Sequence, residues 1–278
     1  MDSMHAAASH PTGGSRRELE RARELVLAHG WNSTSYQILN PGIRLWFSAA
    51  HEAVVGYVAQ AGRLVAAGAP VCAEAALPEV AEELERDARW RGLRVCYFAA
   101  ESRRAEAHSG SRRHSLVVLG AQPVWAPRSW PAIVARHASL RAQLHRARNK
   151  GVAIVEWPTA RARQPEIARC LGEWLAARGL PPLRFLVEPH TLDRLTDRRI
   201  FAALRHGALV GFLVASPVPR RNGWLVEQIV RGAAAPNGTA ELMIDAALGA
   251  MAEGGSAYVT LGLAPLSRRG PVPLSDNP

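Results

Sequence analysis

Residues 223–255 read GWLVEQIVRGAAAPNGTAELMIDAALGAMAEGG, and the fold turns on them. The β-branched and aromatic run Trp224 to Arg231 predicts a strand. Gly232, three alanines and Pro236-Asn237-Gly238 then lead into a helix over 238–253, ended by Gly254-Gly255. Small residues at a strand-to-helix turn let the backbone approach a ligand closely. The first-turn N–H groups, here at Asn237, Gly238 and Thr239, can serve a phosphate or an oxyanion. Regular alternation puts Glu227, Ile229 and Arg231 on one face, with Val226, Gln228 and Val230 on the other. An acid and a guanidinium on one face beside a helix N-terminus can act as base and anion clamp. A surface ion pair beside an ordinary loop accounts for the same residues equally well.

Working outward, the flanking elements predict an α/β (α+β) protein. Arg199 to Arg205 and Leu209 to Ala215 flank His206-Gly207 as a hairpin, and Tyr258 to Leu263 is the final strand. Upstream come a basic helix over 130–150 stopped by Gly151, a strand over 152–157, and a helix over 165–178. The first half has the same order of elements. Ser15-Arg16-Arg17-Glu18 is a capping box opening a helix to His29. Strands follow at 43–48, 53–59 and 63–67, then a helix with Pro78 in its first turn, then strands at 93–98 and 115–119. Residues 1–14 read as a disordered start, 15–127 as a first lobe and 128–278 as a second.

The formal charge is +10, and Lys150 is the single lysine. Between Ala107 and Val155 there is no Asp or Glu, while Arg112, Arg113, Arg128, Arg136, Arg141, Arg146, Arg148 and Lys150 all fall inside. A one-signed block of this kind suits nucleic acid or an anionic headgroup surface, although a solvated helix with no partner has the same pattern. On a helical wheel Leu140, Leu144 and Ala147 form the buried stripe, leaving Arg141 and Arg148 on one flank and Arg136, Arg146 and Lys150 on the other. No Phe or Tyr falls in that block, which argues against base stacking as its main contact, and Trp125, Trp130 and Trp157 flank it as core or interface residues. The three cysteines are scattered, and no histidine spacing suits a metal, so none is proposed. No run is long and apolar enough to span a bilayer, and the N-terminus lacks a secretory pattern. The expected location is therefore the cytoplasm, with a peripheral place at the inner membrane face.

The runs Gly223 to Glu227, Ala235 to Leu242, and Thr260-Leu261-Gly262-Leu263-Ala264-Pro265-Leu266-Ser267 closely resemble the C-terminal domain of phosphatidylglycerol lysyltransferases. Asn32-Ser33-Thr34-Ser35-Tyr36 and the basic stretch 141–151 are similar to that family too. The resemblance implies two tandem GNAT-like lobes with mixed central sheets and flanking helices. It implies transfer of an amino acid from aminoacyl-tRNA to a lipid hydroxyl, with aminoacyl-tRNA as donor substrate and no cofactor. Its partners would be aminoacyl-tRNA and an anionic lipid or membrane surface, with no transmembrane segment. Carried over, Arg231 would hold an anionic group and Glu241 the acidic position after the Asn-Gly turn. The family generally has an acid three residues before the strand arginine, where this chain has Gln228; a β-bulge would bring the adjacent Glu227 to that face.

The expected site comprises Glu227, Arg231 and Glu241 as catalytic groups, with Asn237, Gly238, Thr239, Arg141, Arg148 and Lys150 binding substrate. Two other readings compete. One is a CoA-dependent N-acyltransferase, against which the loop after Arg231 is a poor pyrophosphate cradle. The other is a non-catalytic lobe pair that binds RNA or membranes. Relatives continue beyond the final strand, so the resemblance further implies an open edge on Tyr258 to Leu263 and a mobile tail over 268–278.

Overall fold

The structure is a computed structural model that describes residues 14–101, 113–178, 185–187, 189, 191–192 and 194–267. The expected disordered start, apart from Gly14, and the expected tail lie outside these residues. The chain forms a four-stranded sheet, a six-stranded sheet and a two-stranded ladder.

The first sheet has the order β1-β2-β3-β4, from β1 (Arg44–Phe47), β2 (Val54–Gln60), β3 (Arg63–Ala67) and β4 (Arg94–Phe98). Helix α1 (Arg16–His29) opens on the expected capping box: the Glu18 N–H donates to Ser15 Oγ at 3.3 Å, and the Ser15 N–H donates to Glu18 Oε2 at 2.6 Å. Its apolar stripe, Ala22, Leu25 and Val26, packs on Tyr36, Ile38, Leu39 and Val54. Helix α2 (Leu77–Trp90), with proline in its first turn, buries Leu84 and Ala88 against Val55, Tyr57, Leu64 and Ala66.

The second sheet contains β6 (Val124–Trp125), β7 (Val152–Trp157), β8 (Arg199–Arg205), β9 (Ala208–Val218), β10 (Gly223–Arg231) and β11 (Tyr258–Thr260). Their order is β6-β11-β10-β9-β8-β7. One face carries α3 (Trp130–Arg136), α4 (Ala138–Asn149) and α6 (Thr239–Glu253), sharing a core of Trp130, Leu144, Val226, Met243 and Leu248. The other face carries α5 (Pro165–Ala176), whose Ile167, Cys170 and Leu171 pack on Ile200, Phe212, Val214 and Val230. Among the described residues, no helix is long and apolar enough to cross a membrane.

Three expectations about individual elements change. Residues 115–119 form no strand; a short β5 (Gly120–Ala121) pairs instead with β12 (Ala264–Pro265). The basic helix is two helices, because His137 is extended (φ −107°, ψ 94°) and its carbonyl starts α4 by accepting the Arg141 N–H at 3.1 Å. The final strand has no open edge along β11. Tyr258–Thr260 lies parallel to β10 on one side, and on the other β6 pairs with it antiparallel, Val259 opposite Trp125 and Thr260 opposite Val124. The segment between the two larger sheets thus supplies the covering strand, and β6, expected in the first lobe, sits in the six-stranded sheet.

Candidate functional site

Strand β10 departs from regular alternation where the chemistry is. Val226 pairs with Ala215 and Gln228 with Val214, so Glu227 is the extra residue of a β-bulge. The bulge resets the faces. Val226 and Ile229 both pack in the core under α6, while Val230 joins the α5 side. Arg231 sits opposite Gly211, whose open side faces Met243 of α6. Glu227 and Arg231 therefore lie on opposite faces of the sheet, correcting the regular-strand reading.

Glu227 is enclosed by donors from both lobes. Its Oε2 accepts from Arg198 Nε at 2.9 Å and from Ser216 Oγ at 3.0 Å. Its Oε1 accepts from Asn40 Nδ2 at 2.7 Å, with Gln37 Nε2 at 3.4 Å and a second Arg198 nitrogen at 3.3 Å. Arg198 and Glu227 side chains are 0% and 3% exposed, so this is a fully desolvated ion pair. Burial alone would push the Glu227 carboxyl up. The Arg198 charge and the hydrogen bonds from Arg198, Asn40 and Ser216 outweigh it and hold Glu227 below the usual carboxylate range.

A second layer extends the junction. Arg198 also donates to Asn40 Oδ1 at 2.6 Å and stacks over the Tyr36 ring with its guanidinium carbon 4.8 Å from the centroid. The Tyr36 hydroxyl donates to Asp197 Oδ2 at 2.7 Å, and Arg23 of α1 grips both Asp197 oxygens at 2.5 and 2.6 Å. Desolvation would raise the Asp197 carboxyl, but the Arg23 and Tyr36 hydrogen bonds hold it below its usual value. Gln228, standing where the family has an acid, is buried and binds the 189–191 loop: its Nε2 donates to the Pro189 carbonyl at 2.9 Å and its Oε1 accepts from Thr191 Oγ1 at 3.2 Å.

The other expected residues gather on the α4/α6 side. Gly238, at φ +92°, has the Gln143 carbonyl of α4 2.1 Å from where a Cβ would stand, so only glycine admits that helix contact. Thr239 directs both its N–H and its hydroxyl to the Pro236 carbonyl, at 3.2 and 2.6 Å. Asn237 and Arg231 are exposed, and Glu241 is half-buried in the first turn of α6. Arg141 caps α3 by donating to the Val134 carbonyl at 3.3 Å and to that of Ala135. Arg148 pairs with Asp245 of α6 at 2.7 Å, an acid that also accepts from Trp130 Nε1. Lys150 is exposed at the end of α4.

A cavity of about 360 Å³ opens at the other end of the junction, lined by Ala99, Glu101, Gly120, Gln122, Val124 and Arg221 among others. Glu101 bonds Arg221, whose guanidinium lies 3.7 Å from the Trp31 ring and 4.6 Å from that of Tyr258.

Sequence reasoning missed Arg198, Asn40, Ser216 and Gln37. The polar run Asn32 to Tyr36 came to notice only through a resemblance. Nothing in Asp197-Arg198-Arg199 marks the middle arginine as the buried one.

A family model described as phosphatidylglycerol lysyltransferase, C-terminal, matches residues 23–275. No curated protein matches the chain. Among solved structures, the C-terminal domain of a candidate lysylphosphatidylglycerol synthetase from Agrobacterium fabrum superposes with a TM-score of 0.80 at 18% identity, covering 90% of this chain and 79% of that one. L-PGS from Bacillus licheniformis gives 0.78 at 22% identity, with 92% and 79% covered. FemX gives 0.56 at 8% identity, with 99% and 91% covered. These likenesses show the fold, a mixed α/β arrangement of several sheets with flanking helices.

Proposed function

The chain belongs to the phosphatidylglycerol lysyltransferase C-terminal family, and we propose on that footing that it moves an aminoacyl group from aminoacyl-tRNA to a hydroxyl of a lipid such as phosphatidylglycerol. Membership makes it a transferase of the acyltransferase type. The observation that carries the finer reading is the extent of the family match, which runs through both larger sheets and includes the Glu227 bulge and the turn after Arg231.

The reaction exchanges one ester for another, so it needs alignment, removal of a hydroxyl proton and stabilisation of a tetrahedral oxyanion rather than a strong driving force. A general base needs an available lone pair. Glu227 offers none: its oxygens are occupied by donors from Arg198, Asn40 and Ser216. We assign it to positioning, fixing the bulge, Arg198 and the 35–40 segment in one arrangement. Glu241 is the base in this reading, half-buried on the face that carries exposed Arg231, which clamps the anionic group. The Thr239 N–H already has an acceptor, so the oxyanion falls to the next amides of the first turn, those of Ala240 and Glu241. Exposed Arg146 and Lys150 at the end of α4 meet tRNA phosphates, while Arg141 and Arg148 hold the helices.

The test is to incubate the protein with radiolabelled aminoacyl-tRNA pools and phosphatidylglycerol vesicles, then resolve the lipids. Label in a lipid that resists acid but is released by mild base supports an aminoacyl ester. No labelled lipid, together with acetyl transfer from acetyl-CoA to an amine, would overturn the reading in favour of a CoA-dependent enzyme.

A further inference from the structure

The surface beside the β5–β12 ladder is unlike the rest of the molecule. Leu116, Val117, Val118 and Leu119 follow one another outside any helix or strand, all exposed, with Val117 at 71%. Leu266, 91% exposed, joins them through its N–H, which donates to the Leu119 carbonyl at 2.8 Å. Val124 of β6 and Leu261, the residue after β11, are also exposed. Scattered exposed leucines need no explanation, but a continuous aliphatic strip does. Leu266 adds a second observation, because its φ is +59°, a region that leucine rarely adopts and that glycine or asparagine would fill at less cost. A strained backbone that presents a bare leucine to solvent points to use of that side chain.

We propose that this strip, Leu116 to Leu119 with Leu266, is the face on which the chain seats on an anionic phospholipid bilayer. The proposal rests on the lipid-acceptor reading above and names the surface that meets the lipid. Two features favour a bilayer over a second copy of the chain. The strip is purely aliphatic, without the aromatic or polar anchors that give a protein interface its specificity. The chain carries a formal charge of +10, so copies repel one another while anionic headgroups attract each of them. Val124 and Gly120 also line the junction cavity, so a chain seated this way brings that cavity to the membrane surface.

The experiment is vesicle co-sedimentation of the full chain, without tRNA, on phosphatidylcholine vesicles with and without phosphatidylglycerol. The expected result is binding only to the phosphatidylglycerol vesicles, weakening as salt rises. Leu266→Gly and Val117→Ser are each expected to weaken it about tenfold, the scale of one lost aliphatic insertion. Leu266→Gly removes a side chain and relieves its backbone together, so it melts no lower than the parent and separates lost seating from lost folding. Unchanged binding in both variants overturns the proposal. So does self-association of the parent that Leu266→Gly disperses, with no vesicle binding, which would assign the strip to a second copy. Vesicle seating without any lipid labelling would instead overturn the catalytic reading and leave this surface standing.

Discussion

Glu227 and Arg198 show how much one bulge residue can hold. Each is costly to bury alone and tolerable only with the other. Glu227→Gln and Arg198→Met are each expected to lower stability by about 3–5 kcal/mol, because each strands a buried charge or its donors. The double variant should recover part of that loss, which a double-mutant cycle by urea unfolding would measure. Additive losses would show that the two do not act as a pair. The same carboxylates set the acid limit. Glu227 and Asp197 are held below their ordinary values in the fold, so their contribution is complete above the unfolded values and is lost as pH falls through the folded ones. Melting temperature should be flat near neutrality and fall below about pH 5, less steeply in Glu227→Gln. Catalysis should follow other residues. Glu241→Gln and Arg231→Ala are expected to slow transfer by roughly 100-fold with little change in melting, the scale of a lost base or anion clamp. Near-normal rates in both would remove them from the site.

At the scale of elements, the short β6 and the divided basic helix carry the consequences. Val124→Pro fixes the backbone of the two-residue β6 and should cost about 1–3 kcal/mol, with aggregation on heating as β11 loses its cover. Val124→Thr, which keeps the ladder, is the control, and equal melts for the two would mean that β6 contributes nothing. Within α4 the arginines divide by partner. Arg146→Gln with Lys150→Gln should reduce the slope of log affinity for tRNA against log salt by roughly 0.7–0.9 for each phosphate that is no longer neutralised. Arg148→Gln should lower the melt through Asp245 and leave that slope nearly unchanged.

Across the whole molecule, the lobes should unfold together. Arg23–Asp197, Tyr36–Asp197 and Asn40–Glu227 all join the first lobe to the second through buried or half-buried groups. One calorimetric transition is therefore expected, with two separate transitions as the contrary result. Local pattern made most of this architecture legible in advance. The capping box of α1, the His206-Gly207 hairpin and the strand–turn–helix of residues 223–255 are written in neighbouring residues, and they folded as read. What sequence concealed depends on distant partners. The 115–119 run has the composition of a strand, but among the described residues no neighbour offers it a ladder. The break at His137 has no proline or glycine to announce it. Arg198 becomes distinct from the arginines around it only when Asn40 and Glu227 arrive. The bulge mattered most: the residue pattern reads as regular alternation, and only the family resemblance, with Gln228 at the acid's position, pointed to the one-residue insertion that moves Glu227 across the sheet.

The strand that shields β11 also sets a timetable. On a ribosome, residues 44–98 can pair among themselves as soon as they emerge, since each strand of that sheet meets partners close by in sequence. Val124 and Trp125 must wait: the Thr260 hydroxyl that donates to Pro123 is 137 positions further on. Throughout that interval the two residues stay unpaired beside the apolar 116–119 run, the form in which nascent chains most need a chaperone. The six-stranded sheet is thus sealed by its earliest-made strand and its latest-made strand together, and residues 258–260 must be made before that sheet has its outer edge.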